Sequence, residues 1–117
     1  MRDYYRTYVN KSPDFMTGTV RRVTRGNVTP GHLAAAIAWA KEVNALRVKI
    51  INHEQTIAVS SYGLQSVTSQ TEFGSWEQYD AEMAKIDASP EHAALWAERA
   101  DHFLPGTMLR LLYKRVD

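Results

Sequence analysis

Three helix-start signals, Thr29-Pro30, Ser75-x-x-Gln78 and Ser89-Pro90, interrupt stretches that otherwise favour extended chain. A Ser or Thr oxygen accepts from the unpaired N–H groups of a first helical turn, and proline fits the first position because it lacks that donor. After Thr29, Leu33, Ala36, Ile37, Ala40 and Val43 recur at helical spacing and predict a helix over residues 30–45. Ser75 with Gln78 is a capping-box pattern. It opens a helix on which Trp76, Tyr79, Met83 and Ile86 share a face. Ser89 and Pro90 open another, which "LPG" at 104–106 ends.

The segments between these helices are rich in β-branched and aromatic residues. "FMTGTVRRVT" predicts a strand closed by the turn-like "RGN". "LRVKIINH" and "TIAVSS" predict a hairpin or one long bulged strand, and "SVTSQTEF" and "TMLRLLYKRV" two more. "DYYRTYV" predicts a further strand within an N-terminal extension, residues 1–12. Strands separated by helices in 117 residues imply one α+β domain, residues 1–117, with helices on one face of a mainly antiparallel sheet.

Composition removes several classes of function. Fourteen Lys and Arg against thirteen Asp and Glu leave a net charge of +1, without the basic stripe that a nucleic-acid-binding surface needs. The absence of cysteine excludes disulfides, thiolate catalysis and zinc–thiolate sites. No apolar run approaches the roughly 20 residues that span a bilayer, and "MRDYYRTYV" lacks the apolar centre of a signal peptide. The expectation is a cytoplasmic protein without nucleic-acid or membrane partners.

The residues "TEFGSWEQYDAEMAKIDASPEHAALWAERADHFLPGTMLRLLYKRV", together with "TPGHLAAAIAWAKEVN", resemble the dimeric α+β barrel superfamily. That superfamily includes NIPSNAP proteins and antibiotic-biosynthesis monooxygenases. The resemblance covers roughly residues 15–116 and lies in the order of elements, not in a catalytic signature. It implies a ferredoxin-like antiparallel sheet that pairs with the sheet of a second copy across a two-fold axis, making a homodimeric barrel. It also supplies a test for haem: the haem-degrading branch would place an iron-ligating histidine mid-helix, where this chain carries Trp96. No cofactor is therefore expected.

Alternation along the strands sorts candidate residues. Leu109, Leu111 and Tyr113 form one face of the last strand, and Met108, Arg110, Leu112 and Lys114 the other. Val67, Thr71 and Phe73 alternate against Thr68, Gln70 and Glu72. If the first set in each strand meets the helices, Glu72 and Arg110 both point into the barrel. There Glu72 could transfer protons and Arg110 could fix an enolate or carboxylate. The plainer alternative is that the two pair with each other.

His92 is a candidate general base, since imidazole titrates near neutrality. It is set against the plainer reading of a first-turn residue beside a core Trp96. His92 and His102 lie about 80° apart around an ideal helix and about 15 Å along it, so they cannot share a metal, and no metal site is expected. Trp39, Tyr62, Gln70 and Trp96 are candidate ligand-binding residues, and Tyr4, Tyr5 and Tyr8 could join Tyr62 against a flat aromatic compound. Together these features predict a cofactor-independent monooxygenase, cyclase or isomerase acting on a hydrophobic or aromatic compound. The alternative is a non-catalytic ligand-binding or assembly module of the same fold.

Overall fold

The computed structural model describes residues 19–60 and 64–116. The strand expected at "DYYRTYV" and the candidate residue Tyr62 lie outside them. Strand β1 (Val20–Asn27) is followed by helix α1 (Leu33–Ile51), β2 (Thr56–Ser60), β3 (Ser66–Phe73), α2 (Trp76–Asp87), α3 (Pro90–Ala97), a 3-10 turn (Glu98–Asp101) and β4 (Leu109–Lys114). The strands form one sheet in the order β2-β3-β1-β4, and each neighbouring pair is antiparallel. This is the ferredoxin-like α+β arrangement: both crossovers pass through helices, and β1 and β3 lie in the middle.

The largest departure from the sequence reading is α1. "LRVKII" is helix, not strand, because the buried stripe of Ala36, Trp39, Ala40, Val43, Leu46 and Arg47 continues at helical spacing beyond residue 45. Burial on a continuing face outweighs the strand preference of β-branched residues, which depends strongly on context. The helix ends where Asn52 takes a left-handed conformation (φ 52°) and its N–H donates to Val48. At the other end, Thr29 and Pro30 form a turn through Gly31, whose φ of +85° suits glycine. His32, without a side-chain cap, begins the helix.

"RGN" is likewise the end of β1 and not a turn. Gly26 belongs in this strand because Phe103 lies against it: a Cβ there would stand 2.7 Å from the Phe103 ring. The other two helix starts behave as their sequences imply. Ser75 Oγ accepts from the N–H of Gln78, and Ser89 Oγ accepts from the N–H of His92. The Gln78 side chain reaches back to the N–H of Gly74.

All three helices pack on the sheet face that carries Arg22, Thr24, Val67, Ser69, Phe73 and Met108. The main core joins Val28, Trp39, Ala40, Val43, Val67 and Phe103. Trp39 also donates its indole N–H to the carbonyl of Leu95 at 2.8 Å, tying α3 to α1. At the far end Phe73 meets the rings of His53 and Tyr79 edge-on. His53 Nδ1 lies 2.7 Å from Glu82 Oε1, which ties the end of α1 to α2.

Candidate functional site

Register decides which strand residues face the helices. Arg22 stands opposite Leu112, and Thr24 opposite Arg110, so Met108, Arg110 and Leu112 share the helix-facing side. Leu109, Leu111 and Tyr113 occupy the other side, the reverse of the expectation for this strand. For β3 the expectation holds: Val67, Thr71 and Phe73 face the helices, and Thr68, Gln70 and Glu72 face away. The reason lies in the side chains of β4. Leucines occur on both of its faces, so alternation alone does not fix a register that shifts every side chain by one face.

Glu72 and Arg110 are therefore on opposite faces of the sheet and cannot form one site or pair with each other. Glu72 instead receives a two-pronged bond from its cross-strand neighbour: Arg21 Nε to Oε2 at 2.9 Å and Nη2 to Oε1 at 2.8 Å. Gln70 shares that face. Arg110 joins His92 and Trp96 on the helix side, around a cavity of about 180 Å³ between β4, α2 and α3. Arg47, Met83 and Asp87 complete its polar and polarisable lining. Trp39, 6% exposed, packs in the core beside a space of about 20 Å³, room for about one water.

The helix side contains two cations that the sequence reading passed over. Arg47 projects from the buried stripe of α1 and donates to His92 Nε2 at 3.1 Å and to Gln55 Oε1 at 3.0 Å. Its guanidinium also lies 5.8 Å from the Trp96 ring centre. Arg22, from β1, is 2% exposed and donates to the thioether sulfur of Met83 at 3.2 Å. The visible signal was a charged residue on an apolar helical stripe, and it was lost when residues 46–53 were read as a strand.

These neighbours set the chemistry. Burial, and then the charge of Arg110, pull the Arg22 pKa down to about 10, against the opposing influence of Tyr79 and Asp87. Arg22 still remains charged near neutral pH. Burial first, and Arg22 second, push the pKa of His92 below its ordinary value, so its imidazole is neutral near pH 7. Because Nε2 accepts from Arg47, the ring proton belongs on Nδ1. The ring of His92 stacks on Trp96 at 13° between planes.

His102 is separate from this group, with its ring beside His32 and Trp39. Among the described residues, no set of three or more His, Cys, Asp or Glu is grouped to hold a metal. No described helix is long and apolar enough to cross a membrane. A larger groove of about 460 Å³ between α1 and α3 carries exposed Glu42, Glu91, Glu98 and Lys49, and none of them is constrained by burial.

Fold and site together define a ferredoxin-like α+β protein with a small polar cavity under its helices. The same fold occurs in an uncharacterized NIPSNAP domain protein from Burkholderia xenovorans (TM-score 0.68, 10% identity, 83% of this chain and 94% of that one). It occurs in a NIPSNAP family protein from Agrobacterium tumefaciens (TM-score 0.67, 12% identity, 84% and 86%). A Chloroflexus aurantiacus protein assigned to the antibiotic biosynthesis monooxygenases is also similar (TM-score 0.60, 14% identity, 84% and 93%). No family model matches the sequence, and no curated relative matches it.

Proposed function

We propose that this chain is a cytoplasmic homodimeric barrel protein that carries out cofactor-independent chemistry on a small hydrophobic or aromatic compound, as a monooxygenase, cyclase or isomerase. The observation that carries the reading is the 180 Å³ cavity in which His92, Arg110 and Trp96 meet. Such reactions share one demand, the stabilisation of negative charge developing on substrate oxygen or carbon. Arg110 at the rim meets that demand electrostatically. His92, neutral with its proton on Nδ1, serves as a hydrogen-bond donor, and Trp96 supplies an apolar wall. Glu72 and Gln70 belong to the opposite face, where they line the seam between two sheets. Leu109, 51% exposed on that face, supports pairing with a second copy.

The Arg47–His92 bond favours one further reading, a module that binds without turnover, because it occupies the lone pair that a general base would use. The test is a crystal structure of natively purified protein, with its mass in solution measured by light scattering. Density against Arg110 and Trp96 together with a two-copy mass is the expected result. A monomer whose cavity is closed by Met83 and Ile86 would overturn the proposal.

A further inference from the structure

We infer that the molecule held in this cavity is a small organic carboxylate, gripped by Arg47 and Arg110. The inference rests on reading the cavity as a ligand site, and it adds the ligand's chemical class. Two guanidiniums, Arg47 from α1 and Arg110 from β4, line the cavity, and Arg22 from β1 touches its wall residue Met83 from outside. Among the described residues that line the cavity, one carboxylate, Asp87, opposes Arg47 and Arg110, and His92 is neutral. The lining therefore carries one positive charge in excess (two minus one).

What these cations touch points the same way. Arg22 and Arg47 are 2% and 4% exposed. A buried charge ordinarily has an opposite charge and several hydrogen bonds, because its lost hydration is otherwise uncompensated. Here Arg22 donates to a thioether, a weak acceptor, and Arg47 to a neutral imidazole and an amide oxygen. Among the described residues no carboxylate forms an ion pair with Arg22, Arg47 or Arg110; the pairs present are Arg21–Glu72 and His53–Glu82. An incoming carboxylate supplies the opposite charge that Arg47 and Arg110 lack among the described residues, and the planar guanidinium fork suits it.

Size and access narrow the class. The space of about 180 Å³ is close in size to a cavity of about 150 Å³ that takes up benzene, so the ligand is one compact ring or a short chain. Arg110 is exposed and marks the entrance at the β4 edge. Arg22 and Met83 lie deeper, and Trp96 offers the apolar side.

The experiment compares sodium benzoate with benzamide, its neutral isostere, at matched concentration and constant ionic strength. Thermal melting and the Trp96 indole N–H resonance are read on the intact protein. Benzoate alone should raise the melting temperature and shift the Trp96 signal. Arg110→Gln, at the exposed rim, should weaken benzoate about tenfold, the scale of one charge-assisted hydrogen bond. Arg47→Met should abolish the benzoate response while the far-UV circular dichroism stays that of the folded protein. If benzamide acts as strongly as benzoate, or if both variants keep the benzoate response, the carboxylate assignment is overturned and the cavity remains a ligand site. If neither compound moves Trp96, the reading of the cavity as a ligand site falls with it.

Discussion

Replacing Arg22 with methionine should make this protein more stable, although it removes a buried polar contact. The guanidinium is 2% exposed, and its pKa falls to about 10 through burial and the charge of Arg110. Against an ordinary value of about 12.5, and at about 1.4 kcal/mol per pH unit, the folded environment disfavours the charged form by about 3 kcal/mol. Methionine keeps the unbranched stem of the side chain, without the guanidinium that reaches Met83, and removes that cost. It forfeits the N–H···S contact, worth about 1 kcal/mol at most. The expected net gain is about 2 kcal/mol, within the range seen when buried charges are replaced by apolar residues. Urea unfolding at pH 7 should show a higher midpoint with an unchanged slope, and the melting temperature should rise by about 5–10 °C. A loss of stability would refute the reasoning, because it would mean that the guanidinium is well satisfied where it lies.

Four further outcomes follow from the same geometry. The pKa of His92 is lowered on folding, so the unfolded chain binds more protons; the contribution of neutral His92 is complete above pH 6.5 and is lost as pH falls through the folded value. His92→Gln should flatten that part of the melting-temperature profile, and an unaltered slope would contradict the burial argument. Gly26→Ala should cost about 1–3 kcal/mol in chemical denaturation, since its Cβ meets the buried ring of Phe103 at 2.7 Å. Ser89→Ala removes the cap on the His92 N–H and should cost about 1 kcal/mol, measured the same way. Leu109→Glu places a charge on the sheet face that the helices leave, and should reduce a two-copy mass to one copy by light scattering.

The parts of the fold legible in the sequence were those that local chemistry decides. Ser75 and Ser89 announce their helices because a capping oxygen acts within three residues, and β3 shows its faces through Val67 and Phe73. The length of α1 was hidden because Val48, Ile50 and Ile51 favour strands, while the deciding interaction was burial of Leu46 and Arg47 on a distant surface. The face of Arg110 was hidden because both sides of β4 carry leucine, and only its register with β1 separates them. His92, Trp96 and Arg110 were visible as individual residues. Their union with Arg47 was not, because it requires three elements to meet at a place no spacing along the chain specifies.

The bond from Trp39 to the carbonyl of Leu95 has a bearing on the shape of the cavity. An indole has one donor, and this one is spent on a helix that carries the roof of the cavity. The roof is thus tied to the neighbouring helix by this bond as well as by the Arg47–His92 bond, and its height is set partly from outside the cavity. Trp39 lines no part of the 180 Å³ space, yet it helps to set the height of that space. Loosening this suspension would change the shape of the cavity while every residue lining it stayed the same.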